Sequence, residues 1–253
     1  MKSLSKLLSL TLICGLLFTG CNNDDDNSGG GTDPNENVLQ GILTANRTLD
    51  PSVQYTVNGA FLVGGGVTLT IPAGTEIVSL RGTGNYMAVQ QGGKIDVQGT
   101  AANPVIMRSE GNAGDWGGLL LCGNATTTEG VNAIAEVGGL VYGGTNDADD
   151  SGSINYLIIQ DAGAVISGDS QYNGLSLYAV GTGTSISNVA IVNGADDGVE
   201  FFGGTVNASN FYIQNMEDDA VDWTEGWNGQ LSTTYVTNTI EGFSTVVEAD
   251  GTN

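Results

Sequence analysis

The sequence contains no histidine, and only 6 of its 253 residues are basic, against 28 acidic residues. Histidine is the commonest general base and metal ligand at neutral pH. Its absence therefore excludes Ser-His-Asp hydrolases, Cys-His proteases and histidine-ligated zinc sites. A formal net charge of −22 would repel the phosphates of a nucleic acid rather than neutralise them. We expect no nucleic-acid partner.

The longest apolar run of the chain is short and lies at its N-terminus. Lys2 and Lys6 precede it, and residues 7–18 are nearly all apolar. A run of about a dozen residues is too short to span a bilayer but is typical of a secretory signal. The run Leu17-Phe-Thr-Gly-Cys21 resembles a bacterial lipobox, which implies a lipoprotein signal peptide over residues 1–20 and lipidation of Cys21. An ordinary signal peptide cleaved nearby is the alternative.

Residues 22–36 contain no large apolar side chain. Such a segment cannot offset the entropy of ordering, which predicts a flexible acidic tether over residues 21–40. The run Cys21-Asn-Asn-Asp-Asp-Asp resembles the acidic stretch that follows the lipidated cysteine in surface-exported lipoproteins of Bacteroidota. This resemblance implies a lipid-anchored protein of the outer membrane, exposed at the cell surface. With Cys14 removed and Cys21 acylated, Cys122 has no disulfide partner, and we expect it to be buried and unreactive.

Two sequence patterns recur at a spacing of 22 residues in the second half of the chain. Asp197–Phe201 recurs as Asp219–Trp223, and Asn188–Asn193 recurs as Asn210–Asn215. The first pattern extends back to residues 173–177 and forward to 241–245, and the second continues at 234–238. Apolar residues alternate in each pattern, as in strands with one buried face. At one turn the repeat predicts an asparagine ladder of Asn193, Asn215 and Asn238.

A weaker series of alternating apolar pairs, flanked by Gly-rich turns, runs through the first half of the chain. The pairs are Leu69/Ile71, Ile95/Val97, Leu119/Leu121 and Leu140/Tyr142. A repeat of strands and turns without helical periodicity predicts a β-solenoid, whose stacked coils bury a continuous core. A β-sandwich would not repeat in register, and a propeller blade needs about 40 residues. We predict one all-β solenoid domain over residues 41–253, with coils of 22–26 residues.

Several of these segments resemble a known family. Residues 67–75, 92–106, 114–119, 196–206 and 218–226 are similar to coils of right-handed parallel β-helix lipoproteins of Bacteroidota, in the pectin-lyase-like superfamily. The resemblance implies a right-handed parallel β-helix at the cell surface, and it implies no established activity. Members of that family tend to be longer, and this chain stops in mid-coil. We therefore expect a domain truncated at its C-terminus.

The most prominent candidate site is a set of carboxylates that recurs with the repeat: Asp196, Asp197, Glu200, Asp218, Asp219 and Asp222. The alternation places Glu200 and Asp222 outside, about 5 Å apart on neighbouring coils. Three interpretations stay open. The acids form a solvated face, they bind Ca²⁺ through hard oxygen ligands, or Asp197, Glu200, Asp219 and Asp222 supply a catalytic carboxylate pair.

Two enzyme templates of the superfamily can be compared with these residues. Asp196-Asp197-Gly198 looks like part of the acidic motif of β-helix polygalacturonases, but the histidine and basic motifs of those enzymes are missing. Calcium-dependent pectate lyases need a basic residue beside the carboxylates. The four basic residues beyond the signal all lie in the first half of the domain: Arg47, Arg81, Lys94 and Arg108. A neutral-sugar hydrolase with two carboxylates stays open.

The other candidates are weaker. Trp227 lies in a turn and is the better candidate for stacking on a sugar ring, whereas Trp223 belongs to an inward column. Asp147, Asp149, Asp150 and Asp161 are expected in a solvated insertion loop. The sequence favours a non-catalytic binding or structural module, with extracellular polysaccharide or an outer-membrane receptor as partner. A polysaccharide-degrading hydrolase or calcium-dependent lyase is the competing hypothesis.

Overall fold

The computed structural model describes residues 37–168 and 170–251. The predicted signal peptide, the predicted lipidation site Cys21 and the predicted tether up to residue 36 lie outside the described residues. Over the described ranges the chain forms 20 strands, and it has no helix long and apolar enough to cross a membrane. The strands are β1 (Val38–Leu43), β2 (Arg47–Thr48), β3 (Tyr55–Val63), β4 (Thr68–Pro72), β5 (Glu76–Ser79), β6 (Tyr86–Val89), β7 (Lys94–Gln98), β8 (Val105–Arg108), β9 (Leu119–Cys122), β10 (Ala133–Ile134), β11 (Val141–Tyr142), β12 (Gly152–Gln160), β13 (Val165–Ser167), β14 (Ser170–Gln171), β15 (Leu175–Tyr178), β16 (Ser185–Gly194), β17 (Val199–Phe202), β18 (Asn207–Met216), β19 (Val221–Thr224) and β20 (Leu231–Thr237).

Sixteen of these strands pair in parallel and wind into a right-handed parallel β-helix with three faces. Stack one contains the second halves of β1 and β3, followed by β6, β9, β15, β17 and β19. Stack two contains the first halves of β1 and β3, then β5, β8 and the second halves of β12, β16, β18 and β20. Stack three contains β2, β4, β7 and the first halves of those last four strands. The predicted fold class is confirmed. The first strand begins at Val38, just before the predicted domain boundary.

The core lies inside the coil, because alternate residues of every stack point inward. Phe201 of β17 is fully buried beside Val199, and the register sets Val199 opposite Val221 on the next coil. Each such inward column stabilises the fold by about 25 cal/mol for every Å² of apolar surface that it buries. A single coil cannot cover its own apolar face, so the stacking of coils supplies the stability.

Asparagines occupy the bends between stacks because those positions have left-handed backbone conformations. Asn188 and Asn210 have φ of 57° and 59°, and Asn193 and Asn215 have φ of 57° and 58°. Asparagine tolerates this region better than most residues with a Cβ. The predicted ladder is confirmed for its first step, since Asn215 Nδ2 donates to Asn193 Oδ1 at 3.4 Å. It is wrong for Asn238, whose Nδ2 donates to the carbonyl of Met216 at 3.1 Å.

The four apolar pairs of the first half, which the sequence predicts as one series, lie in different parts of the structure. Leu69 of β4 pairs with Ile95 of β7 in stack three, as predicted. Leu119, however, lies in β9 of stack one, and Tyr142 lies in the antiparallel hairpin β10–β11. Every stack of a solenoid repeats once per coil and alternates inward and outward residues. The spacing of apolar residues therefore does not show to which stack a strand belongs.

The last coil also differs from the prediction. Val221 forms a bridge with Val247, four residues beyond the expected Phe243. The backbone confirms this register, since the amide of Ala220 donates to the carbonyl of Thr245 at 3.1 Å. The segment that follows β20 is therefore longer than the corresponding turn of the preceding coil.

Candidate functional site

The outer face of stack one is covered by a second apolar cluster over its middle coils. Residues 123–151, which include the hairpin β10–β11, fold over β6, β9 and β15. The cluster consists of Tyr86, Ala88, Leu120, Cys122, Ala135, Val137, Leu140, Tyr142, Ala164, Tyr172, Tyr178, Ala179 and Phe202. Both faces of β9 and β15 are consequently buried. Strands buried on both faces lose the simple alternation by which the sequence identifies the outer face.

Hydrogen bonds fasten this covering segment to the turn after β19. Tyr142 Oη donates to both carboxylate oxygens of Glu225, at 2.8 and 2.9 Å, and Thr127 Oγ1 donates to Glu225 Oε2 at 2.7 Å. Burial raises the pKa of Glu225, and the two donors oppose that shift. The covering segment thus forms a fixed wall beside the last coils of stack one.

One outward column of stack one changes from apolar to acidic along the helix axis. The paired residues are, in order, Ala88, Leu120, Ser176, Glu200 and Asp222. The predicted outward positions of Glu200 and Asp222 on adjacent coils are confirmed. The two acids begin where the apolar covering ends.

Glu200 and Asp222 are paired across adjacent coils, and their carboxylate oxygens lie within 4.8 Å of each other. Asn173 Nδ2 donates to Glu200 Oε2 at 2.6 Å. Burial, followed by the charges of Asp197 and Asp222, raises the pKa of Glu200 well above its usual value. Burial also raises the pKa of Asp222. Two carboxylates in one buried site disfavour joint ionisation. Asp222 Oδ1 is buried and accepts no hydrogen bond from the described residues.

Asp196 and Asp197 extend the acidic group along the edge of the strands. Burial and the charge of Asp196 raise the pKa of Asp197 to about 8, although Asp197 Oδ1 accepts the backbone amide of Asp219 at 2.9 Å. Burial and the charge of Asp218 raise the pKa of Asp196 to about 7. Gln171 Nε2 donates to Asp196 Oδ1 at 3.0 Å and opposes that shift.

Five of the six predicted metal ligands fall into two overlapping groups of three. Within each group, one carboxylate oxygen of each residue lies within 4.8 Å of those of the other two. One group is Asp197, Glu200 and Asp222, and the other is Asp196, Asp197 and Asp218. Such hard oxygen donors suit Ca²⁺. Asp219 joins neither group, because its buried Oδ1 accepts the backbone amide of Thr245 at 2.6 Å.

A cleft of about 330 Å³ separates the covering segment from the end of stack one. Tyr142 and Tyr178 contribute to its lining, and six acidic side chains surround it: Glu129, Glu136, Glu200, Asp222, Glu225 and Asp250. We call it the acidic cleft. Sequence reasoning missed Glu129, Glu136 and Asp250 because they come from the covering segment and the last coil, outside the 22-residue pattern.

Of the residues that the structure describes, no basic one lines the acidic cleft. Arg81, Lys94 and Arg108 form ion pairs with Asp115, Asp150 and Glu76, respectively. Arg47 lies over the ring of Tyr55, 5.5 Å from its centroid. The positive charges are thus held elsewhere on the coil, as their positions in the first half predicted.

The weaker candidates are more buried than the sequence suggested. Trp227 is half-buried, since its ring stacks on Phe201 at 4.2 Å between centroids and its Nε1 donates to the carbonyl of Val206 at 3.2 Å. One side of the Trp227 ring is thus occupied by the core, and a sugar contact at Trp227 stays a prediction. Trp223 packs against the same core. Cys122 is buried as expected, although it lies in the second apolar cluster, and burial raises its pKa to about 12.

Among the predicted insertion acids, Asp147 and Asp150 are exposed as predicted, Asp161 is half-buried and Asp149 is buried. Asp149 accepts hydrogen bonds from Asn124 Nδ2 at 3.0 Å and from Ser151 Oγ at 3.2 Å. Asp147 accepts two hydrogen bonds from Thr126. Asp147 and Asp149 thereby order the covering segment.

The comparison with protein families accounts for the whole coil. Residues 41–253 match the model of the pectate-lyase-like beta helix domain. The chain belongs to this family. No curated protein and no solved structure matches the chain. Membership of the pectate-lyase-like family agrees with the parallel coils and with a glycan-related role, and it leaves the choice between binding and cleavage to the site itself.

Proposed function

We propose that this pectate-lyase-like β-helix is a lipid-anchored, cell-surface module that binds an extracellular acidic glycan through Ca²⁺ without cleaving it. The acidic cleft over stack one is the binding site in this proposal. Assistance to an outer-membrane uptake receptor is a compatible cellular role. The observation that carries the binding role is the convergence of Asp197, Glu200 and Asp222, whose carboxylate oxygens lie within 4.8 Å of one another.

The spacing of the carboxylates suits a shared cation. Asp197, Glu200 and Asp222 each bring an oxygen to within 4.8 Å of the other two, and one Ca²⁺ with ligand distances of about 2.3–2.6 Å can contact all three. Inverting glycosidases separate their two carboxyls by roughly 6.5–9.5 Å to admit a water, which is wider than the spacing of these oxygens. The spacing therefore supports a cation site and does not fit an inverting pair, and an assay of cleavage tests a retaining one.

The acidic cleft also lacks the basic side chain that a lyase reaction requires. Proton abstraction beside a carboxylate requires a base, and in calcium-dependent lyases of this superfamily it is a basic side chain. The described lining of the cleft contains none, and Arg81, Lys94 and Arg108 are held elsewhere in ion pairs with Asp115, Asp150 and Glu76.

The residues of the cleft fit Ca²⁺. Asp197, Glu200 and Asp222 would hold the ion, and the buried Asp222 Oδ1 supplies an acceptor that no described residue satisfies. When bound, the ion would offset the mutual repulsion of these carboxylates and offer open coordination positions to a carboxylate of the glycan. This is why a chain with a net charge of −22 could bind an acidic glycan.

The competing hypothesis is a polysaccharide-degrading enzyme that uses the same carboxylates. Calorimetry with hexagalacturonate, with Ca²⁺ or with a chelator, measures binding, and assay of reducing ends on the same samples measures cleavage. We expect calcium-dependent binding and no new reducing ends. Turnover that Glu200→Gln or Asp222→Asn abolishes would establish the enzyme instead. The matched control is Asp96→Asn, on the outer face of stack three.

The proposed anchor rests on sequence positions outside the described residues. Acyl chains on Cys21 would hold the protein at the membrane, since two or more chains give stable attachment. Fractionation of cells that express the full chain and Cys21→Ser tests this step. We expect the variant to leave the membrane fraction, and external protease to digest the anchored wild-type protein on intact cells.

A further inference from the structure

A second concave surface lies on the outer face of stack two, away from the acidic cleft. Two exposed aromatic side chains lie on it, Tyr212 of β18 and Tyr235 of β20, which are 38% and 63% exposed. They are paired across adjacent coils, and their rings stack with centroids 5.8 Å apart and planes 11° apart. Tyr212 Oη donates to Gln214 Oε1 at 2.9 Å, which orients the ring.

One face of the Tyr212 ring stacks on Tyr235, and the opposite face borders a groove. The residue opposite Tyr212 on the preceding coil is Ala190, whose small side chain leaves that ring face open. A groove of about 310 Å³ lies there, with Ile158 and Ala190 in its floor and Tyr156 and Pro104 also in its lining. We call it the tyrosine groove.

Fixed amide groups border the tyrosine groove. Asn210 Nδ2 donates to Asn188 Oδ1 at 3.3 Å, and Asn188 Nδ2 donates to Asn155 Oδ1 at 2.8 Å. This second asparagine ladder was not predicted from the sequence, although Asn188 and Asn210 recur at 22 residues. The ladder holds the amides of both residues beside the apolar floor.

Within the described ranges, no charged side chain lines the tyrosine groove. This is unusual on a chain with 28 acidic residues and a net charge of −22. An anionic ligand would meet the repulsion of the whole molecule without a cation to offset it, and a cationic ligand would find no carboxylate. The surface complements an uncharged ligand that has apolar faces and hydroxyl groups.

We propose that the tyrosine groove is a second glycan site, which binds neutral hexopyranose chains independently of calcium. The C–H face of a pyranose ring packs on Tyr212, and the hydroxyls of the sugar bond to the amides of Asn188 and Asn210. An apolar site with a few fixed polar groups is the usual form of a ligand site. This site does not depend on the function proposed for the acidic cleft.

The chain itself supplies variants that remove the rings with little effect on the coil. Tyr156 has a left-handed backbone with φ of 50°, at the bend position that Asn188 and Asn210 occupy on the next two coils. Tyr156→Asn therefore installs the residue that this position already accepts. Tyr212→Ala likewise copies Ala190 of the preceding coil.

Calorimetry with maltohexaose, cellohexaose and mannohexaose in the presence of a chelator tests the proposal. We expect at least one of these neutral probes to bind. Tyr212→Ala and Tyr156→Asn should each weaken that binding about five- to tenfold. Glu200→Gln/Asp222→Asn should leave it unchanged, and melting temperatures of all variants establish that they fold.

Each other result overturns the proposal. Failure of all three neutral probes to bind refutes the site. Binding that survives both tyrosine substitutions, or that only the acidic-cleft variant abolishes, refutes the location. Neither of these last two outcomes bears on the calcium-dependent binding proposed for the acidic cleft. The proposals for the tyrosine groove and for the acidic cleft can therefore fail independently.

Discussion

Glu200 of β17 lies directly opposite Asp222 of β19, and their carboxylate oxygens lie within 4.8 Å of each other on the outer face of the coil. The pair is placed by parallel register, since neighbouring strands are about 4.8 Å apart. Burial and the charges of Asp197 and Asp222 raise the pKa of Glu200 and favour its protonated form. A cation bound by both carboxylates would take the place of that proton, which suits the pair to a cation site.

The first prediction concerns calcium and the stability of the soluble domain. Ca²⁺ binds the folded carboxylates and not the unfolded chain, so it should raise the melting temperature, and a chelator should reverse the effect. Glu200→Gln/Asp222→Asn should lose the response. Asp96→Asn, which alters an acid of stack three, should keep it. A calcium response of the same size in the double variant would place the ion elsewhere.

The second prediction concerns pH in the calcium-free protein. The pKa of Asp197 is about 8 in the folded state, against about 4 when unfolded. A raised folded pKa contributes stability at low pH, and that stability is lost as the pH rises towards the folded value. Between about pH 5.5 and about pH 8.5 the melting temperature should fall by roughly 5 °C or more.

Asp197→Asn is the matched variant for this pH dependence. Its side-chain oxygen can still accept the amide of Asp219, as Asp197 Oδ1 does at 2.9 Å. The asparagine does not titrate, so the melting curve should become flatter across the same pH range. A slope equal to that of the wild type would assign the pH dependence to other groups.

The third prediction concerns the wall of the acidic cleft. Tyr142→Phe removes both hydrogen bonds to Glu225 and should destabilise the covering segment by about 1–2 kcal/mol. Hydrogen exchange should then accelerate over residues 124–146 and not in the strands of stack two. Glu225→Gln retains an acceptor for Tyr142 and should have a smaller effect. Uniform acceleration throughout the coil would show that the segment does not open on its own.

The sequence predicted the regular part of this fold well. The 22-residue spacing identified the pairing of Val199 with Val221 and the first step of the asparagine ladder, because both depend on local register. It also placed Glu200 and Asp222 outside. These features follow from two periodicities, the alternation within a strand and the length of a coil.

The rest of the site was not predictable because it depends on segments that break the repeat. The covering segment brings Glu129 and Glu136 to the cleft from about 70 residues upstream of Glu200, and no spacing rule links distant loops to a coil. The stacking of Trp227 on Phe201 likewise follows from how one turn folds back on the core. The register of Val247 with Val221 depends on the length of the segment after β20.

The central claim is binding without cleavage, and one experiment measures both. Hexagalacturonate is titrated into the soluble domain in the presence of Ca²⁺, heat is recorded, and the glycan is then recovered and analysed by mass spectrometry. We predict heat that a chelator abolishes and a hexamer recovered intact. Shorter products that disappear with Glu200→Gln or Asp222→Asn would contradict the account and make the chain an enzyme.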